Sequence, residues 1–228
     1  MLTKQEIAAR LQSVRERIAA SERRSGRAPG SVRLVLASKT QPAEALRAAY
    51  LAGARDFGEN YVQEAVHKRA ELGDLPGVTW HLIGHLQTNK AALAARTFDL
   101  IQTVDSERLA NALAKARPSP PIPALIEVNL GAETTKAGVR ADEVERLVEA
   151  VRAEVELRGL MTIPPPGRAD EARRYFIQLR ELRGRVAAAS GLALSELSMG
   201  MTDDFEVAVE EGATMVRIGR AVFGERVK

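Results

Sequence analysis

The fold class turns on the stretch "RLVLASKTQPAEA" (Arg33–Ala45). A short apolar, β-branched run at 34–37 ends at Ser38-Lys39-Thr40, and an alanine-rich segment of helical character begins after Pro42, a residue that suits the first turn of a helix. The stretch therefore reads as strand, loop and helix start. Its loop lacks the glycine-rich fingerprint that follows the first strand of dinucleotide-binding open sheets. This absence favours a closed barrel over a doubly wound sheet, which is the alternative.

The same strand-then-helix pattern repeats along the chain, after a leading helix at about 3–24 and a Gly/Pro-rich linker. The β-rich runs are 33–37, 54–58, 78–84, 99–104, 123–130, 155–163, 196–201 and 214–219. Eight parallel strands close a (β/α)8 barrel, and 228 residues agree with a compact version of that fold. We therefore predict an α/β chain that forms a single-domain (β/α)8 TIM barrel over 1–228, with an extra N-terminal helix.

Composition narrows the function classes. With 45% hydrophobic and 28% charged residues, the chain has the balance of a soluble globular protein. Its formal charge of +3 is small and dispersed, which argues against a nucleic-acid partner. No run approaches the roughly 20 apolar residues of a membrane span. The chain has no cysteine and only three histidines, so a metal site is not expected, and we predict a cytoplasmic protein without a membrane or nucleic-acid partner.

The carboxyl ends of the predicted strands carry the candidate functional residues, because barrels build their sites there. Closure makes the last strand the neighbour of the first, which brings Arg217 and Gly219 close to Lys39. Gly219 lets the backbone approach an anion, and Ser198 near the end of the seventh strand has a hydroxyl to donate. A lysine beside a phosphate pocket suits a Schiff base with a phosphorylated aldehyde, of which pyridoxal 5′-phosphate (PLP) is the obvious example.

Plainer interpretations stay open at this point. A lone lysine at a strand end is commonly a solvated surface residue, and Arg217 could pair with the carboxylate of Asp203 or Asp204. His81 and His85 are expected to be packed or hydrogen-bonded rather than metal ligands. A Schiff-base aldolase that needs no cofactor is a further alternative for Lys39.

Seven sequence blocks, taken together, are specific enough to indicate a protein family. They are SKTQP, FGENYVQE, WHLIGHLQTNK, LIEVNL with TKAG, LRGLMTIP, LSMGMTDDFEVAVEEGAT and VRIGRAVFG. In these blocks, which extend over nearly the whole chain, the sequence resembles the pyridoxal phosphate homeostasis proteins, single-domain relatives of the alanine racemase N-terminal barrel.

The resemblance implies a PLP-binding barrel in which Lys39 forms the Schiff base. It also implies that Ser198 and the backbone of Gly219 and Arg220 hold the phosphate, and that Arg217 faces the pyridine nitrogen. An arginine cannot accept a proton, so it keeps that nitrogen neutral and weakens the cofactor as an electron sink. Arg220 stands where many relatives have a small Thr or Ser, which leaves the role of its side chain open.

Further positions at the mouth follow from the same resemblance. Asn60 is expected beside the cofactor ring, and His85 and Asn89 are expected to line the same mouth. Lys90 and Lys136, in loops at the mouth, are candidates for secondary reaction with an aldehyde.

The implied function is binding without turnover. Alanine racemase uses a tyrosine base from a partner subunit, whereas Tyr50 and Tyr175 of this chain fall in predicted helices and Tyr61 has no evident position on the opposite ring face. We therefore expect a non-catalytic protein of PLP (vitamin B6) and amino-acid homeostasis, with PLP-dependent apo-enzymes as recipients of the cofactor and a monomeric state. The alternative is a PLP-dependent amino-acid racemase.

Overall fold

The computed structural model describes residues 2–73, 75–131 and 137–225. The strands are β1 (Arg33–Ala37), β2 (Asp56–Glu59), β3 (Thr79–Leu82), β4 (Leu100–Val104), β5 (Pro123–Asn129), β6 (Val139–Arg140), β7 (Glu156–Met161), β8 (Glu196–Ser198) and β9 (Met215–Ile218). The helices are α1 (Lys4–Arg24), α2 (Ala43–Leu51), α3 (Val62–Leu72), α4 (Ala91–Thr97), α5 (Glu107–Ala116), α6 (Val144–Val151), α7 (Ala169–Ser190), α8 (Phe205–Glu210) and α9 (Arg220–Phe223). Within these ranges, no helix combines the length and apolar character needed to cross a membrane.

Eight of the strands form a closed parallel barrel, which confirms the predicted fold class. Going round the ring, the order is β1, β2, β3, β4, β5, β7, β8 and β9, and β9 pairs again with β1. The short β6, which the sequence did not predict, lies outside the ring and, among the described strands, pairs with β5 alone. Closure sets Val35 of β1 opposite Arg217 of β9, so the loops after the first and last strands are neighbours.

The core has two parts because barrel strands are buried on both faces. The larger part lies between the strands and the surrounding helices. A separate small cluster is formed by Val35, Leu100, Leu125, Met161 and Met215, which come from five different strands. Side chains of a strand alternate between its two faces, so this cluster fills the interior of the barrel.

The first helix covers the place where the ring closes. Thr3 and Glu6 form a capping box, in which the Thr3 hydroxyl accepts from the Glu6 amide and the Glu6 carboxylate accepts from the Thr3 amide. Its buried face is made by Ile7, Leu11, Val14 and Ile18, at the spacings of three and four that put residues on one side of a helix. This face packs against α2, α8 and α9 and so braces the first and last strands.

Candidate functional site

A cavity of about 630 Å³ opens at the carboxyl ends of the strands. Its lining comes mainly from the loops after β1, β2, β3, β7, β8 and β9. The lining includes Lys39, Asn60, Ile83, Ile163, Met201, Thr202, Asp203, Arg217, Gly219 and Arg220. Five of the eight residues that the sequence placed at the cofactor or its mouth thus meet in one cavity, whereas Ser198, His85 and Asn89 are not in its lining.

Lys39 and Gly219 are brought together by ring closure. Lys39 is half-buried in the turn after β1, and Gly219 directly follows β9, the neighbouring strand. A Cβ atom at Gly219 would lie only 2.7 Å from the Ala37 carbonyl oxygen. Glycine is therefore the residue that allows the two strand ends to approach this closely, and the lysine and the last loop share one wall of the cavity.

Arg217 presents a buried cation to the cavity. It is 4% exposed and donates from Nη1 to the Ser198 hydroxyl (2.7 Å) and from Nη2 to the Thr162 carbonyl oxygen (2.9 Å). Burial lowers the pKa of Arg217 to about 10, against the opposing effect of the Glu127 and Asp204 carboxylates, and the guanidinium stays charged at neutral pH. Its hydrogen bonds go to Ser198 and Thr162 rather than to Asp203 or Asp204, which the sequence had left as an alternative.

A chain of buried hydrogen bonds extends from Arg217 across the barrel interior. The Ser198 hydroxyl, which accepts from Arg217, donates to Gln102 Oε1 (2.6 Å). Gln102 Nε2 lies 3.0 Å from His81 Nδ1, which it can reach only as a donor, so His81 Nε2 donates to Asp56 Oδ1 at 2.9 Å. Every donor points the same way, from a cation to a carboxylate, an arrangement in which successive bonds strengthen one another. His81 is thus a hydrogen-bonded core histidine, as expected.

Ser198 belongs to this chain and not to the cavity wall. It is 0% exposed, and its hydroxyl hydrogen is engaged by Gln102. The predicted strand at 196–201 was too long: β8 ends at Ser198, whose hydroxyl bonds to residues of the barrel interior, and residues 201–203 after it reach the mouth. Thr202, in that loop, is the hydroxyl-bearing residue that does line the cavity. The sequence analysis missed it, although a hydroxyl just beyond a strand end was the available signal.

The Arg220 side chain has a partner at the rim. It forms an ion pair with Asp203 and lies 3.6 Å from the Glu225 carboxylate, and 47% of it is exposed. Its guanidinium is therefore a rim group held by a neighbouring loop, and Arg220 lines the cavity together with Gly219.

Asn60 has an unsatisfied acceptor. Its Oδ1 atom is buried and has no hydrogen-bond partner among the described residues. The loop after β3 packs tightly here, since a Cβ atom at Gly84 would lie 2.5 Å from the Asn60 carbonyl oxygen. A buried acceptor in the lining of a cavity is suited to a donor group of a ligand.

The residues that follow Gly84 turn away from this cavity. His85 and Asn89 line a different, polar groove next to Asp105, where His85 Nδ1 lies 3.4 Å from Asp105 Oδ2 and 54% of the histidine side chain is exposed. The expectation that His85 and Asn89 share the mouth with Lys39 is not met, because both residues line this second groove and neither lines the cavity. Lys90 donates to Gln63 at 3.4 Å, and Lys136 lies outside the described residues.

Glu127 is a buried carboxylate that the sequence analysis did not single out. It lies on β5, is 7% exposed, and its Oε2 atom has no hydrogen-bond partner among the described residues. Burial and, secondarily, the Asp105 carboxylate raise the pKa of Glu127 to about 7, and the Arg217 guanidinium acts in the opposite direction. The available signal was one charge inside the apolar strand run LIEVNL.

Comparisons with known proteins agree with this architecture. The family model described as alanine racemase, N-terminal domain matches residues 9–227. Two proteins named pyridoxal phosphate homeostasis protein are 45% identical (Pseudomonas aeruginosa, 96% of each chain) and 42% identical (Escherichia coli, 97% of each chain).

Solved structures give the same result at the level of the fold. PipY of Synechococcus elongatus, in a structure with PLP bound, superposes with a TM-score of 0.82 at 41% identity and covers 96% of this chain and 100% of its own. Alanine racemase of Corynebacterium glutamicum, at 19% identity and a TM-score of 0.68, shares the fold over 96% of this chain and 62% of its own. The chain belongs to the pyridoxal phosphate homeostasis proteins, which carry the alanine racemase N-terminal fold.

Proposed function

We propose that this protein binds pyridoxal 5′-phosphate in the cavity at the carboxyl ends of the strands and holds it as a Schiff base on Lys39. The observation that carries the proposal is the lining of one cavity by Lys39, Arg217 and the Gly219 loop. PLP has three chemically distinct parts that need separate partners: an aldehyde, a pyridine ring and a phosphate. The lining supplies an amine, a guanidinium with an amide acceptor, and a glycine-containing loop with a hydroxyl.

The chemistry at Lys39 is a condensation. The neutral amine attacks the aldehyde carbon, a C=N bond forms, and the carbonyl oxygen leaves as water. Lys39 is half-buried in the turn after β1 and lines the cavity, where a ligand can reach it.

Arg217 is the group we assign to the pyridine nitrogen. It donates hydrogen bonds and cannot accept a proton, so a ring beside it keeps a neutral nitrogen and stabilises a carbanion poorly. The Asn60 amide oxygen, buried and without a partner among the described residues, is assigned to a donor on the ring side of the ligand.

For the phosphate we assign the backbone of Gly219 and Arg220 together with the Thr202 hydroxyl. Gly219 carries no side chain between the backbone and the anion, and Thr202 faces it from the loop after β8. Ser198 was the hydroxyl that the resemblance implied for this role. We assign it instead to fixing Arg217, since its hydrogen bonds go to Arg217 and Gln102.

The proposed activity is binding and release without turnover, in PLP and amino-acid homeostasis. The support is that Tyr50, Tyr61 and Tyr175 are not among the residues that line the cavity, and that relatives are named for PLP homeostasis. A second candidate, a racemase-type enzyme, rests on the fold shared with alanine racemase.

Absorbance and borohydride labelling test the proposal. Apo-protein mixed with PLP is expected to turn yellow, to bleach on borohydride reduction, and to yield one labelled peptide that contains Lys39. Lys39→Ala is expected to abolish the band and the label, whereas Lys115→Ala, a lysine exposed on α5, is the matched control and is expected to keep both. Label on another lysine alone would refute the assignment.

Turnover and transfer need separate assays. Exchange of the α-proton of any amino acid in D2O, lost in Lys39→Ala, would establish the racemase-type candidate instead. Delivery to recipients is tested by mixing the PLP-loaded protein with a PLP-dependent apo-enzyme and a scavenger of free PLP. Reactivation at the rate set by free PLP alone would contradict direct transfer.

A further inference from the structure

Three charged side chains meet beneath the turn that carries Lys39. Lys68 of α3 lies between two carboxylates, with its Nζ atom 2.7 Å from Glu59 Oε1 and 2.7 Å from Glu64 Oε1. The Glu59 side chain is 0% exposed, that of Lys68 is 7% exposed and that of Glu64 is 23% exposed. The binding roles assigned above do not use any of these three residues, which we call the charged triad.

The charged triad is bonded to the residues on both sides of Lys39. Before the lysine, Lys68 donates to the Ser38 carbonyl oxygen (2.6 Å) and the Ser38 hydroxyl donates to Glu59 Oε1 (2.7 Å). After it, the Thr40 amide donates to Glu64 Oε1 (2.5 Å). The Lys68 ammonium thus donates hydrogen bonds to Glu59 and to the Ser38 carbonyl, and it forms an ion pair with Glu64.

The turn needs such a restraint. Thr40 is a β-branched residue with a φ of +64°, a left-handed conformation that is common for glycine but rare for β-branched residues. Residues in such conformations persist where the surrounding structure holds them in place, and they gather at functional sites. The bond from the Thr40 amide to Glu64 is a contact that holds this conformation.

Stability alone does not account for a charged triad in this place. Buried ion pairs cost much of their attraction in desolvation, and apolar residues of similar size are commonly as stable. Charged partners differ from apolar ones because their hydrogen bonds are directional. These bonds fix the Ser38 carbonyl and hydroxyl and the Thr40 amide at defined positions, which apolar side chains cannot do. The residue between those positions is Lys39.

We propose that Glu59, Glu64 and Lys68 are positioning residues that hold the turn around Lys39, so that its amine meets the ligand aldehyde in the cavity. The inference rests on the proposed function of Lys39. It predicts a selective effect: loosening the charged triad weakens the covalent step with PLP and leaves the non-covalent contacts with the ring and phosphate in place.

Glu64→Ala is the first test, because this side chain is the most exposed of the three and its loss leaves the Glu59–Lys68 pair intact. Glu71→Ala removes a carboxylate from an exposed position of the same helix and is the matched control. Two ligands are titrated: PLP, and 4′-deoxypyridoxine 5′-phosphate, which has no aldehyde. In Glu64→Ala we expect PLP affinity to fall about tenfold and the rate of borohydride-trappable labelling of Lys39 to fall with it. Affinity for the deoxy analogue is expected to stay within about twofold of the wild type.

A second variant removes the charge from the buried pair without leaving one ion unpaired. In Glu59→Gln with Lys68→Gln, both charges are lost together and hydrogen-bonding groups remain. We expect the same selective loss for PLP. A further check is the Lys39→Ala background, where adding Glu64→Ala is expected to cause no further loss of PLP affinity.

The outcomes separate the two proposals. Wild-type protein that is not labelled at Lys39 overturns the proposed function and this inference with it. Wild-type labelling at Lys39 with unchanged PLP affinity and labelling rate in Glu64→Ala overturns the positioning role alone. An equal loss of affinity for PLP and for the deoxy analogue also overturns it, since that result means a general structural role.

Discussion

The Ser198→Ala variant distinguishes a ligand of the phosphate from a member of the buried hydrogen-bond chain. Ser198 is fully buried, and its hydroxyl accepts from Arg217 Nη1 and donates to Gln102 Oε1. Removal of the hydroxyl leaves both partners one hydrogen bond short in the barrel interior. Because Gln102 is fully buried and Arg217 is only 4% exposed, water replaces these bonds poorly and the folded state bears the cost.

The magnitude follows from those two partners. A buried polar group that loses its partner costs about 1–3 kcal/mol, with charged groups at the upper end. One neutral amide and one guanidinium together give an expected loss of about 2–4 kcal/mol in the free energy of unfolding. For a chain of this size each 1 kcal/mol lowers the melting temperature by about 2–4 °C, so we expect a drop of about 5–15 °C.

Two measurements on the same variant test this account. Urea unfolding, followed by the fluorescence of the buried Trp80, gives the stability change, and an unchanged m-value shows that the native and unfolded states stay comparable. The ratio of the affinities for PLP and pyridoxal isolates the phosphate contribution. In Ser198→Ala we expect this ratio to stay within about twofold of the wild type.

Thr202→Val is the matched variant, because it removes a hydroxyl from the cavity wall instead of from the interior. There we expect the opposite pattern: stability within about 0.5 kcal/mol of the wild type and a PLP-to-pyridoxal ratio about tenfold lower. If Ser198→Ala kept its stability and lost the phosphate preference, Ser198 would be a phosphate ligand and the account of the chain would be wrong.

Three further variants test other parts of the site. As the pH rises from about 5 to 8, we expect the wild type to lose more free energy of unfolding than Glu127→Gln does. The difference between the two losses is expected to be about 3 kcal/mol at most. The raised pKa of Glu127, about 7 against an ordinary value of 4.5, means that its favourable contribution is complete below about pH 4.5 and is lost as the pH rises through 7; parallel urea-unfolding profiles would contradict this. Gly219→Ala places a Cβ atom 2.7 Å from the Ala37 carbonyl oxygen, so we expect PLP affinity to fall by about tenfold or more in a fluorescence titration, and unchanged affinity would refute the tight contact. Arg217→Gln is expected to shift the visible band of bound PLP, and an identical spectrum would rule out the contact with the pyridine nitrogen.

The sequence predicted the parts of the molecule that depend on periodicity and closure. Eight strands in order imply that the last strand returns to the first, and from that alone Arg217 and Gly219 fall beside Lys39. A strand end is less certain by a few residues. For β8 the predicted end lay three residues too late, at 201 instead of 198. The sequence therefore pointed to Ser198 as the hydroxyl residue at the cavity, where the structure has Thr202.

Other features depend on contacts that no local pattern contains. His85 lines a separate groove although it directly follows the end of the predicted third strand, and sequence alone does not give the direction of a loop. Glu64 and Lys68 stand four residues apart on α3, a spacing that usually marks a solvated pair on a helix surface. Only the fold brings Glu59 and the Ser38 carbonyl into contact with Lys68.

The two ends of the proposed site are held in different ways, and the difference bears on release. Arg217 and the turn of Lys39 are each fixed from below by buried hydrogen bonds, through Ser198 in one case and the charged triad in the other. The rim is held by exposed contacts such as the Arg220–Asp203 ion pair, and exposed pairs contribute little and weaken with salt. In such a site the ligand meets rigid groups at its aldehyde and its ring, and a loosely held rim at its outer side. It can therefore be bound in one orientation without being enclosed. That combination suits a protein that holds a reactive aldehyde and later gives it up, because water or an acceptor amine can reach the C=N bond without unfolding the groups that formed it.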